Sequence, residues 1–240
     1  MNLPNGSEKI LKNKSDKINL FNINPIEKYI LFTPPRTGSR RSLYISELLG
    51  FDTYMSTNGI ISFNKKGPTH NHTHELFEGH EEFKTILTCR NPYSIMVSEF
   101  KLSLADSTMI RSDFNLHNLF FDFIHEFYNT NFNIWFSPKT IEFRKNFIMK
   151  HIDFRIKLET MLDSYSEIPF VKNSEVYQNG TIEKLVNEIV GHHSEFKNSR
   201  YFKNLPEDFR EYYTIEIADF FKSKFHDTFE LMDYDINSWK

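Results

Sequence analysis

Residues 29–51 read YILFTPPRTGSRRSLYISELLGF, and the fold turns on this stretch. A short β-rich run, 29–33, breaks at Pro34-Pro35. Small and basic residues follow, Arg36-Thr37-Gly38-Ser39-Arg40-Arg41-Ser42. Apolar residues then recur at helical spacing, Leu43, Ile45, Leu48 and Leu49, and Gly50 supplies a natural stop. The order is strand, tight loop, helix. Amide groups at the start of such a helix have no intrahelical partner, and the helix dipole adds partial positive charge there. With Gly38 allowing close approach and arginines alongside, the loop suits an anion such as a phosphate or sulfate ester. The plainer alternative is an ordinary strand–turn–helix with a solvated basic turn.

A second stretch has the same logic. Residues 85–89, TILTC, form a compact β-rich run that reads as a buried strand of a parallel sheet. Arg90-Asn91-Pro92 follows, with Pro92 at a favoured first-turn position of the helix YSIMVSEFKLSL. Arg90 thus falls at the carboxyl edge of the sheet, where α/β proteins bind ligands. Its guanidinium can fork onto a phosphate, and Ser98, two helical turns on, can add a hydroxyl.

The first loop lacks the leading Gly and the Lys of the common nucleoside-triphosphate loop, G-x-x-x-x-G-K-[ST], which argues against a nucleotide kinase. Pro35-Arg36-Thr37-Gly38-Ser39 instead resembles the 5′-phosphosulfate loop of sulfotransferases, P-[KR]-T-G-[ST]. Arg90-Asn91-Pro92 with Ser98 resembles the 3′-phosphate motif of the same family. Later pieces are similar in order along the chain: Glu159 and Asp163 after the alternating run 152–159, and Asp227, Phe229 and Tyr234 near the end. The family's R-K-G loop over the nucleotide has no counterpart; Arg200 is the candidate for covering the adenosine end.

The resemblance implies an α/β fold: one domain, residues 18–240, with a central parallel β-sheet flanked by helices in a P-loop-like, three-layer arrangement. Residues 1–17, polar and lysine-rich, would form a loose arm. The implied reaction moves a sulfuryl group from 3′-phosphoadenosine-5′-phosphosulfate (PAPS) to an acceptor hydroxyl or amine, with no metal required. Arg36 would stand nearest the bridging oxygen. Thr37, Gly38, Ser39 and Arg40 would present amides to the 5′ group, with Arg41 and Ser42 as helix-start contacts or packing. The implied acceptor is a carbohydrate first, and a small metabolite or a tyrosine second.

A general base must take the acceptor's proton, and histidine has the fitting pKa. Residues 69–76, THNHTHEL, alternate histidines, so in a strand His70, His72 and His74 share one side. Family members place the base in a Thr-His-Leu or His-x-His segment between the nucleotide loops, which favours His74, then His72. Histidines on one strand face also hold zinc in some hydrolases, but no third-ligand motif follows. A non-enzymatic nucleotide- or glycan-binding protein is the remaining alternative.

Composition bounds these readings. The chain has 240 residues, 39% hydrophobic and 25% charged, enough for one α/β domain with a real core. Its 25 phenylalanines point to a core built largely on Phe. A net charge of -3 makes a generally basic nucleic-acid binder a poor fit and confines any anion site to a local basic patch. The 1 cysteine, Cys89, excludes an internal disulfide and a thiol-rich zinc site. No stretch suits a membrane span or a signal-peptide core, so a cytoplasmic protein is the expectation.

Elsewhere, periodicity predicts a turn or strand within 18–26, a strand at 51–55 and a hairpin or loop over 56–67. It further predicts helices within 106–133, 138–150, 181–190 and 206–225, and short strands at 152–159 and 168–171.

Overall fold

The computed structural model describes residues 19–34, 36–57, 60–68, 77–106, 115–130, 152–188 and 205–240. The arm 1–17, the histidine run 69–76 and the helix expected over 138–150 lie outside them, as do Pro35 and Arg200.

The chain begins with β1 (Asn19–Asn24), β2 (Tyr29–Phe32), α1 (Ser39–Leu48), β3 (Asp52–Thr57) and β4 (Ile60–Lys65). Then come β5 (Lys84–Cys89), α2 (Pro92–Asp106), α3 (Leu116–Thr130) and β6 (Phe154–Lys157). Short helices follow, α4 (Met161–Ser166), α5 (Pro169–Lys172) and α6 (Glu175–Gln178), then α7 (Thr181–Glu188) and the long α8 (Ile215–Met232). No helix among the described residues is long and apolar enough to cross a membrane.

Among the described residues, the strands join one six-stranded sheet in the order β4-β3-β1-β2-β5-β6. The expected parallel sheet is therefore only part of it. β2, β5 and β6 run parallel, whereas β1 is antiparallel to both β2 and β3, and β4 is antiparallel to β3. Connection length sets two of these pairs: a parallel pair needs a crossover of a dozen residues or more, and the tight turns after β1 and β3 permit only the antiparallel arrangement. The α1 crossover returns β3 parallel to β2, which leaves it antiparallel to the intervening β1. The turn after β1 is built on Asn24, whose Oδ1 accepts from the amides of Ile26 (3.1 Å) and Glu27 (2.9 Å). Its Nδ2 donates to the carbonyl of Leu49 (2.8 Å), so the buried Asn24 also ties the turn to the end of α1.

Alternation along the strands feeds a core on each face. Ile30 and Phe32 of β2, with Leu87 and Cys89 of β5, meet Tyr93, Met96 and Phe100 of α2, Phe120 and Ile124 of α3, and Phe221 of α8. Tyr29 and Leu31, with Ile86 and Ile156, meet Ile45 of α1, Tyr165 of α4, Val171 of α5 and Ile182 of α7. Phenylalanine dominates the first core: Phe221 stacks on Phe225 with centroids 4.6 Å apart, and Tyr93 lies 4.9 Å from Phe229.

Two expected elements change. Residues 168–171 are not a strand: Pro169, which cannot donate to a ladder, opens α5 instead. The helix expected over 206–225 is a 3-10 turn, Phe209–Tyr212, followed by α8. Thr214 separates them, its Oγ1 accepting from the amide of Ile217 (3.2 Å) as the N-cap of α8.

Candidate anion-binding site

β2 and β5 are adjacent and parallel, so the segments leaving their carboxyl ends lie side by side. Helix α1 then covers one face of the sheet and α2 the other, because Ile45 and Met96 belong to opposite cores. Such a divergence is the usual ligand position in open α/β sheets.

The loop after β2 is held from beneath. Thr37 is fully buried, and its Oγ1 donates to the carbonyl of Pro34 (2.7 Å). That spends its one proton, so in the Thr37–Thr88 contact (2.7 Å) the Thr88 hydroxyl is the donor. Arg36 adopts a left-handed backbone, φ 62, and so does Gly38, φ 77. Only glycine takes that conformation without strain, and a Cβ at position 38 would also stand 2.5 Å from Leu158 Cδ1. Gly38 is the N-cap of α1 and its carbonyl accepts the first helical bond, from the Ser42 amide (3.1 Å). No side chain caps this terminus and no acidic residue occupies its first turn. The backbone here is what an anion needs.

The loop after β5 is shaped by Asn91, whose Oδ1 accepts from the Tyr93 amide (3.0 Å) ahead of α2. Arg90 reaches across to the first loop, its Nη1 donating to the Arg36 carbonyl (3.3 Å). Burial pulls the Arg90 guanidinium below its ordinary pKa; Arg36 nearby acts in the same sense, and Glu159 and Tyr234 oppose it. The group stays protonated, as arginine does. A cation desolvated in this way, next to another, gains from an incoming anion.

The sequence reading named Arg36, Thr37, Gly38 and Arg90, and the structure brings all of them together. Ser98 lies half-buried on α2, two turns beyond Arg90. Ser39 and Arg40 open α1, but only their backbone is described. Arg41 is half-buried, its guanidinium pulled down by burial. Ser42 is fully enclosed, with its hydroxyl beside that of the buried Tyr165. That leaves Ser42 to packing. His72, His74 and Arg200 lie outside the described residues.

Sequence reasoning passed over Thr88 and Glu99. The Glu99 carboxylate stands 3.4 Å from Arg36 Nε, so α2 holds the guanidinium that the loop presents. Its position, next to Ser98 in the second motif, was the available signal. Thr88 carried none, since a threonine in a strand is ordinary. Cys89 is buried, with its thiol pushed up by burial, the state of an unreactive cysteine.

No family model, curated protein or solved structure matches the chain.

Proposed function

We propose that the protein is a PAPS-dependent sulfotransferase with a P-loop-like, nucleotide-binding core. The observation that carries this reading is the meeting of the P-R-T-G-S and R-N-P loops on adjacent parallel strands, joined by the Arg90–Arg36 hydrogen bond. Each loop alone fits many anions. Together they suit a ligand with anionic groups at both ends, such as a nucleoside 3′-phosphate 5′-phosphosulfate.

In this reading the first-turn amides of α1 receive the 5′ group, and Arg90 with Ser98 reads the 3′-phosphate. An acceptor oxygen attacks sulfur in line. The bond from sulfur to the bridging phosphate oxygen breaks, and adenosine 3′,5′-bisphosphate leaves. Arg36 stabilises charge developing on the bridging oxygen but cannot donate a proton to it. His74, or His72, takes the acceptor's proton. The chemistry needs positioning and cations rather than a metal. A carbohydrate hydroxyl is the first-choice acceptor, in keeping with the Glu159 segment, then a small metabolite or a tyrosine. The Arg36–Glu99 ion pair favours a second reading, nucleotide binding without turnover, because it engages the residue assigned to the transition state.

The test is a turnover screen with labelled PAPS across acceptor classes, alongside binding of adenosine 3′,5′-bisphosphate and of ATP. Tight bisphosphate binding, weak ATP binding and label transfer are expected. Equal binding of both nucleotides removes the 3′-site assignment. Bisphosphate binding with no transfer to any acceptor selects the second reading.

A further inference from the structure

The residues after α8 fold back over the Arg90 loop. Asp233, left-handed at φ 58, ends the helix and turns the chain. Lys157 of β6 fixes that turn through the Asp233 carbonyl (2.7 Å) and carboxylate (2.8 Å). Beyond it, the Tyr234 hydroxyl donates to Glu159 Oε2, and the other carboxylate oxygen accepts the Asn91 amide (3.1 Å). Asn91 Nδ2 donates to Ser238 Oγ (3.0 Å), and the Tyr93 hydroxyl donates to the Ile236 carbonyl (2.7 Å). Asn91 is thereby held at both its backbone and its side chain, one residue from Arg90.

Burial keeps the Tyr234 hydroxyl protonated far above neutral pH, with Glu159 adding to the effect, so it remains a donor. The contacts that shape the Arg90 loop thus come largely from the segment after α8, of which the sequence pattern marks only Tyr234. We propose that Tyr234 and Ser238 are positioning residues, which through Glu159 and Asn91 hold Arg90 in the geometry that binds the nucleotide's 3′-phosphate. This rests on the sulfotransferase reading for the ligand, but the clamp itself does not depend on it.

The mechanism is preorganisation. A guanidinium that must be ordered on binding loses affinity to that cost, and a held one does not. Glu159 also supplies a negative charge near Arg90, and a free carboxylate could swing onto the guanidinium and compete with phosphate. Pinning its two oxygens to Tyr234 and to the Asn91 amide prevents that.

The test uses the full chain with Tyr234→Phe and Ser238→Ala, singly and together. The first keeps the ring, over which Lys157 Nζ sits 5.1 Å from the centroid, and so keeps the local packing. Amide hydrogen exchange at Asn91 reports the clamp without any ligand, and titration with adenosine 3′,5′-bisphosphate reports its consequence. Expected are faster exchange at Asn91, unchanged exchange in the core strands, and affinity lower by about three- to tenfold per variant, the scale of one lost hydrogen bond. Unchanged exchange at Asn91 overturns the clamp. Faster exchange with unchanged affinity overturns its role in binding. A wild-type chain that ignores the bisphosphate overturns the sulfotransferase reading and this role with it, a result told apart from the others because it appears before any substitution.

Discussion

Gly38 and Arg36 share a left-handed backbone but for opposite reasons: one residue costs nothing there, and the other is held in place by its neighbours. Gly38→Ala is expected to cost about 1–3 kcal/mol of stability from backbone strain. Leu158 must also move, although the atom in the way is a side-chain end and can yield. Denaturant unfolding measures the loss, and a wild-type midpoint would show that the loop relaxes freely. Arg36→Ala should lower turnover more than it weakens binding of adenosine 3′,5′-bisphosphate, since its assigned contact forms in the transition state. Loss of binding with turnover retained would make Arg36 a plain anchor. His74→Ala should cut turnover by about 10²–10⁴-fold at constant nucleotide affinity. In the wild type, activity should fall as pH drops through the histidine range, because a protonated imidazole cannot accept a proton. That limb should vanish in the mutant. A dead His72→Ala beside a near-normal His74→Ala moves the base by one pleat pair.

Elements answer to neighbours as much as to their own sequence, and the β1–β2 hairpin shows this. Asn24→Ala removes an acceptor for two amides of an exposed turn and a buried donor to the Leu49 carbonyl. A loss of about 1–3 kcal/mol is expected, chiefly from leaving the buried Leu49 carbonyl unpaired. An unchanged unfolding midpoint would mean that water replaces the side chain. The strand–loop–helix of 29–51 was legible because a period-2 run, a proline break and a period-3.6 run follow one another. So was β5 with its helix, where Pro92 marks the boundary. The antiparallel half of the sheet was not, because β1 offers Asn22 and Asn24 where a buried strand usually shows apolar residues, and both are in fact buried. Residues 168–171 misled in the other direction. Their apolar run suits a short strand, and only Pro169 argued for the helix that forms.

At the scale of the whole molecule, ligand and fold are linked. A ligand that binds only the native state at 100 times its dissociation constant adds about 2.7 kcal/mol. For a chain of this size, adenosine 3′,5′-bisphosphate should raise the melting temperature by roughly 5–11 °C. ATP at equal concentration should do much less, and thermal denaturation monitored by circular dichroism decides between them. Arg36, Thr37, Gly38 and Arg90 could be named in advance because each sits in a local motif, and Glu159 and Tyr234 by their order along the chain. Glu99, Thr88 and Ser238 could not be placed so, since their partners are distant in the chain and their residue types are ordinary. That distance also matters during synthesis. The Asn91–Ser238 contact spans 147 residues. At roughly 5–20 residues per second, a ribosome adds the second partner about 7–30 s after the first. The Arg90 loop therefore spends its earliest life without the Ser238 contact, which a nascent chain can make only once residue 238 has cleared the exit tunnel.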